Sequence, residues 1–315
     1  MSLTQGQTLN NRYRIAKLLG ESSFGTFYRA WDINANAPCI LEEIFDTEAG
    51  RQAFSRQAQR LLDLEHPGLL KVQDAFSLPG QGLYLAMAFV EGESLQEVFD
   101  RTDGPLPQER VLPWIFQVSA ALEYLHSRQP LMIYGGLSPD GIRITPAGSA
   151  MLVDFGAAAV FDDRAQNIAM SEPAAPGFSP PEQYGKGKID TRADVYALGA
   201  ILYLLLAGKR LPESSLIKGK DVPPPRPVHE VNPQIPPQLS AVVDQAIQVN
   251  PDQRFASVEE LKQALLKAQQ GTAPVPEPVP PAVAPPKAPA KKGSRLGCVL
   301  VAVLLILLLI ALGIG

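Results

Sequence analysis

LMIYGGLSPDG, residues Leu131 to Gly141, lies between an apolar helical stretch, LPWIFQVSAALEYLHS (112–127), and a short strand that runs into VDFG (153–156). Outward from this loop the chain divides by period. Before Gly92, RYRIAKLLG (12–20) and FGTFYRAWDI (24–33) alternate apolar and polar positions, APCILEEIF (37–45) gives a third β-like run, and GLYLAMAFV (82–90) a later one. One helix interrupts them: EAGRQAFSRQAQRLLDLE (48–65) puts Phe54, Ala58, Leu61, Leu62 and Leu64 mostly on one face, and HPG stops it. After Gly92 the pattern is mainly helical, through ADVYALGAILYLLLAG (193–208), LSAVVDQAIQVN (239–250) and SVEELKQALLKAQQ (257–270). A strand-rich lobe of about 13–88 and a helix-rich lobe of about 91–268 are expected, joined by FVEGESL (89–95).

The chain of 315 residues is 46% hydrophobic and carries a net charge of −4, so it can bury a core. It has no long basic run in its main body, which argues against a nucleic-acid partner. Two cysteines, Cys39 and Cys298, give neither a disulfide framework nor metal-ligand spacing, and the body reads as cytosolic. The first residues, MSLTQGQTLNNRYRIAKLLG, lack the apolar core of a signal peptide.

The tail changes the class. Residues 271–295, GTAPVPEPVPPAVAPPKAPAKKGSR, are too rich in proline to form a packed layer and read as a linker. From 296 to 315, LGCVLVAVLLILLLIALGIG has no charge, and at about 1.5 Å per residue it spans a hydrocarbon core of roughly 30 Å. A transmembrane helix is expected there. Lys291, Lys292 and Arg295 precede it, which places the N-terminal body on the cytoplasmic side of the membrane.

LLGESSFGTFYRAWD (18–32), FVEGESL (89–95), VDFGAA (153–158), FSPPEQY (178–184), TRADVYALGAILYLLLAG (191–208) and NPDQRF (250–255) occur together in the order and at the spacing of protein kinases. The chain resembles that family over about 13–268 and is most similar to its bacterial membrane-anchored Ser/Thr members. The resemblance implies a bilobal α+β fold, with an antiparallel β N-lobe plus one helix and a mainly α-helical C-lobe. It implies ATP and magnesium as cofactors. The nucleotide cleft it implies is lined by Gly20, Ser22, Gly25, Met87 and Phe89, with Asp154 as a magnesium ligand.

Against the family's pattern the transfer positions are altered. Ser22 stands for the middle glycine of a loop whose backbone N–H groups approach phosphates. As structure alone that loop is an ordinary hairpin turn. Glu42 stands for the phosphate-binding lysine and Gln57 for the lysine's glutamate partner. Glu42 either opposes an anionic ligand or turns to solvent on a face that Glu43 marks as exposed; a Glu42–Gln57 hydrogen bond would tether the helix. In the loop, Gly135 replaces an arginine, Gly136 the aspartate that orients the acceptor hydroxyl, Ser138 a lysine and Gly141 a metal-binding asparagine. Asp140 lies one residue before the metal position, and Ala175 replaces the substrate-side threonine.

The positions that serve the family's fold remain: Glu182 and Arg254 as a buried ion pair, Asp194 as the cap of the loop, and Gly199 in the long helix. Loss confined to the transfer positions reads as a pseudokinase, a membrane-anchored signalling scaffold or allosteric partner of another kinase or its substrate. The second reading is an active Ser/Thr kinase with an atypical site, in which Asp154 with Asp140 or Glu42 holds metal.

Overall fold

The computed structural model describes residues 3–21, 25–44, 51, 54, 58–79, 81–153, 175–184, 189–219 and 222–271. Met1–Ala273 form one compact unit. The expected span at 296–315 and all but the first residue of the expected linker lie outside the described residues. Among the described residues no helix is long and apolar enough to cross a membrane.

The N-terminal half is a six-stranded antiparallel sheet in the order β1-β2-β3-β4-β6-β5, from β1 (Thr8–Leu9), β2 (Tyr13–Glu21), β3 (Gly25–Asp32), β4 (Ala37–Ile44), β5 (Val72–Leu78) and β6 (Gly82–Ala88). Alternation sorts its side chains onto two faces. The outer face buries Leu9, Tyr13, Ile15, Tyr28, Ala30, Cys39, Leu41, Tyr84 and Ala86 as a small core of its own, closed by Leu3, Phe76 and Leu78. On the inner face Phe27, Ile40, Ile44, Leu85 and Met87 join the main core, together with Leu61 from the end of the interrupting helix and Leu64 just beyond it. β5 has no counterpart among the sequence expectations. VQDAFSL is an edge strand with a register shift between Val72 and Asp74, so polar positions interrupt its alternation.

Asp32, 2% exposed in its side chain, fastens the turn after β3. Arg12 donates to both of its oxygens at 2.9 and 2.8 Å, and Asn34 N–H and Ala35 N–H donate to Oδ1. The Arg12 hydrogen bond holds the Asp32 carboxyl below the usual carboxylate range despite burial.

The second half is built round the helix Arg192–Ala207, of which every residue but Arg192 is buried. Its uniform apolarity has a geometric cause: the helices Gln108–His126, Val228–Val231, Pro237–Ala246 and Val258–Gln270 all pack on it. At Gly199 a side chain would place its Cβ 2.7 Å from Ala246 Cβ and 2.9 Å from Ile247 Cγ2. The absent side chain is what lets Pro237–Ala246 approach so closely. Between the halves, β7 (Glu93–Ser94), β8 (Ile142–Ile144) and β9 (Ala150–Leu152) form a three-stranded sheet. Ser94 also starts the next helix with a reciprocal cap, accepting from Glu97 N–H while the Glu97 carboxylate accepts from Ser94 N–H. Leu70 N–H donates to Leu152 O and Leu152 N–H to Gly68 O, so backbone hydrogen bonds tie β9 to the segment ahead of β5.

Two measurements test these constraints. Gly199→Ala should lose about 1–2 kcal/mol by urea unfolding, because overpacking of about 1–3 kcal/mol outweighs the roughly 1 kcal/mol that alanine gains within a helix. Asp32→Asn should lose about 2 kcal/mol at neutral pH, less than a fully buried pair because the Arg12 side chain is 29% exposed. Since the folded carboxyl is depressed, its contribution is complete above the unfolded value of about 3.9 and disappears as pH falls through the folded value. The wild type should therefore lose this increment on acidification below about pH 4, and the variant should not.

Candidate functional site

The loop 131–141 is fixed by a buried carboxylate. Asp194, 0% exposed in the first turn of the long helix, accepts Tyr134 N–H at Oδ2 (2.9 Å) and Gly135 N–H at Oδ1 (2.8 Å). His126 Nε2 lies 2.8 Å from Oδ2 and links the end of Gln108–His126 to the same carboxylate. From the opposite side Gln183 Nε2 donates to Gly135 O at 2.5 Å. Gly135 itself has φ +69°, a left-handed conformation that glycine takes without the Cβ penalty. Its N–H and C=O are thereby aimed at Asp194 and Gln183. Met132, Ile133, Tyr134, Leu137 and Ile142 are buried around the loop.

Within that frame the altered positions are plain. Gly136 is half-buried and has no side chain to offer. The Ser138 hydroxyl turns back on the loop and accepts Gly141 N–H at 3.4 Å, a long and weak contact. Gly141 O accepts Val153 N–H at 2.9 Å, which seats the loop against the strand leading to residue 154. Asp140 is exposed. Ala175, 6% exposed, is buried in the main core and receives Phe178 N–H and Ser179 N–H at its carbonyl.

Beneath the loop, Arg254 has a side chain with no exposure and uses every donor it owns. Nη1 donates to Glu182 Oε1 (2.6 Å) and Arg192 O (3.0 Å), Nη2 to Glu182 Oε2 (2.9 Å) and Val249 O (3.2 Å), and Nε to Gln248 O (2.7 Å). The guanidinium also lies 4.9 Å from the Tyr196 ring centroid. The buried cation is therefore neutralised and fully hydrogen-bonded, which is what makes burial tolerable.

On the sheet side, register sets which groups face the main core. Phe27 opposes Glu42 and Glu42 opposes Leu85; in the next row Lys17 opposes Arg29, Arg29 opposes Ile40 and Ile40 opposes Met87. Since Phe27, Ile40, Leu85 and Met87 pack toward the main core, Glu42 shares their face and is 7% exposed. The Arg29 guanidinium lies 4.5 Å from the Phe89 ring centroid, at the start of the segment that crosses between the lobes.

A family model described as protein kinase domain matches residues 13–266. The chain belongs to the protein kinase family. It is similar to the serine/threonine-protein kinase PknD of Chlamydia trachomatis serovar D, 31% identical over 303 residues, covering 82% of this chain and 32% of that protein. It is similar also to the serine/threonine-protein kinase PknB of Mycolicibacterium smegmatis, 28% identical over 290 residues, covering 86% of this chain and 45% of that one. The chain thus spans a third to a half of the length of these relatives. Among solved structures it resembles the Mycobacterium tuberculosis PknI kinase domain, with TM-score 0.65 and 27% identity, covering 85% of this chain and all of that one. It is a Ser/Thr protein-kinase-like protein with the bilobal kinase fold.

Set on the kinase fold, the expected site residues divide into three groups. Asp194, Glu182 and Arg254 stand in one connected set beneath the loop that holds Gly136, Ser138 and Gly141. Glu42, Met87 and Phe89 belong to the N-lobe face and the crossing segment, with Gly20 and Gly25 at the ends of β2 and β3. Ser22, Gln57 and Asp154 lie outside the described residues, and so does any Glu42–Gln57 contact. The idea that Glu43 marks a solvent face is corrected. Glu43 is half-buried over the outer core and accepts Tyr28 OH at 3.1 Å and Tyr84 OH at 3.2 Å, so neither face of β4 is free at this point. Glu42 is accordingly not turned to solvent. His126 and Gln183 were missed, because a helix-terminal histidine and an ordinary glutamine carry no sequence signal until the loop is placed between them.

The Glu182–Arg254 pair gives the sharpest test of this frame. Glu182→Gln or Arg254→Met alone should each cost about 3–5 kcal/mol by stranding a buried charge, with strong coupling in a double-mutant cycle. Independent, additive losses would mean that the contact carries no energy of its own.

Proposed function

We propose that this chain is a pseudokinase, a kinase-fold scaffold or allosteric partner held at the cytoplasmic membrane by residues 296–315, with its body on the cytoplasmic side. Its partner under this reading is another protein, either a kinase or a kinase's substrate, and not a nucleic acid. One observation carries the reading: the loop from Tyr134 to Gly141 is held by buried hydrogen bonds, yet positions 136, 138 and 141 supply no proton acceptor, no cation and no metal-binding side chain.

ATP and magnesium serve the kinase family generally, and the described residues fit them poorly. Glu42 is buried on the inner face in the position of the phosphate-binding lysine, where its charge opposes a triphosphate. At a few Å and intermediate dielectric that reversal costs on the order of several kcal/mol, comparable to a micromolar affinity. Gly141 cannot hold a metal through a side chain, and Asp154, the expected magnesium ligand, lies outside the described residues. Loss of a general base alone slows a reaction about a hundred- to ten-thousand-fold, and here the cation and the metal ligand are altered with it.

The full chain should show no incorporation from radiolabelled ATP into itself or into generic protein substrates, and little rise in melting temperature with ATP and magnesium. Glu42→Lys should increase that rise. Incorporation abolished by Asp154→Ala would establish the other reading, an active kinase with an atypical site.

A further inference from the structure

One flank of the N-lobe sheet carries no further strand among the described residues. Gly6 N–H donates to Ile15 O and Ile15 N–H to Gln7 O, and β1 pairs with Tyr13 and Arg14; among the described residues no strand pairs with the outer edge of β2 from Ala16 to Glu21. Every residue of that stretch is exposed. An edge with open backbone donors and acceptors is a template for another strand.

The side chains on this edge are unusual in two ways. Of the five exposed large apolar residues among those described, four lie on β2 and β3 or immediately after them: Leu18, Leu19, Trp31 and Ile33. On the inner-facing rows Arg14 opposes Trp31 and Lys17 opposes Arg29, so two cations sit directly across from each other with a third one row away. Like charges directly opposed in a sheet are destabilising. None of the three makes a salt bridge among the described residues, whereas Arg12 next to them pairs with Asp32 and Asp74 on the other face. Glu21, the nearest acid on the strand, opposes Thr26 at its far end and does not share the Lys17–Arg29 row.

We propose that the outer edge of β2 is a docking site for an extended acidic segment of a partner protein, added as a further strand with acidic side chains over Lys17, Arg29 and Arg14 and apolar ones beside Leu18. Main-chain pairing supplies affinity and the alternating side chains supply selection. Charge complementarity decides the occupant: an anionic strand relieves the Lys17–Arg29 repulsion, and a neutral or basic one leaves it. The site names the kind of partner for the scaffold reading and rests on that reading only in expecting a protein partner; it is separate from the loop 131–141 but borders the expected cleft through Gly20 and the Arg29–Phe89 contact.

The test is binding of a short labelled peptide of alternating Glu and Val to the full chain, followed by anisotropy. The acidic peptide should bind, weakening steeply with salt. Its Lys-Val counterpart should not, nor should an acidic version with methylated backbone nitrogens on one edge. Lys17→Ser with Arg29→Ser should weaken binding about tenfold, with the urea midpoint unchanged or raised. Absence of binding at millimolar peptide, or binding indifferent to backbone methylation, would overturn the proposal. So would association with phosphatidylserine vesicles that the double variant loses while the peptide fails to bind, since the cations would then serve a lipid surface. Peptide binding is read without ATP, so it stands or falls independently of any phosphate transfer by the same preparation.

Discussion

The carboxylate of Asp194 is the constraint on which the helical lobe is organised. A fully buried anion must be compensated, and here the compensation comes from two consecutive backbone N–H groups of the loop and from His126. The circuit then closes on itself. Gln183 holds the carbonyl of Gly135, its neighbour Glu182 holds Arg254, and Arg254 donates to the carbonyl of Arg192, two residues ahead of Asp194. Loop, helix start and the turn at 181–184 thus share one polar network inside an apolar lobe. Deleting any member strands a neighbour, which is why such networks fix one backbone arrangement.

On the pseudokinase reading, that network explains how the loop keeps its shape when its transfer residues are replaced. Its members act through backbone groups and buried side chains other than those at 136, 138 and 141, so the residue types at these three positions leave it untouched. Gly135 even eases the arrangement, since the left-handed backbone there costs glycine nothing. Shape and reactivity are separable because they depend on different atoms of the same residues.

The sequence made much of this legible, and the reasons differ by element. The helices 108–126, 192–207, 237–246 and 258–270 were readable from apolar periodicity and end signals, such as Gly208 with φ +70° closing the long helix. The glutamate and arginine of the buried pair were readable only through the family resemblance, since nothing local marks a charge for burial. β5 was missed because Asp74, half-buried and bonded to Tyr13 and Arg12, sits where alternation expects an apolar residue. Glu43 was misread for the same reason in reverse: a carboxylate in a strand suggests solvent, but two tyrosine hydroxyls from neighbouring strands reach it. Both errors arise from cross-strand partners, which a one-dimensional pattern does not contain.

The sheet also shows where charge has been redistributed. Counting rows across β2, β3, β4 and β6, the Gly20–Phe27–Glu42–Leu85 row carries an anion, and the next row toward the crossing segment, Lys17–Arg29–Ile40–Met87, carries two cations. A site for a triphosphate needs positive charge in the interior row, where low dielectric multiplies its effect. Here the row position expected to carry a cation holds Glu42, while the cations stand one row away on the same face, with Arg29 half-buried and Lys17 exposed at the open edge, where a large partner can reach it. On the reading proposed above, this arrangement disfavours a small, highly charged anion beside Glu42 and favours an extended acidic segment at the edge. The same sheet register therefore underlies both proposals, the weakened nucleotide site and the protein strand at the edge.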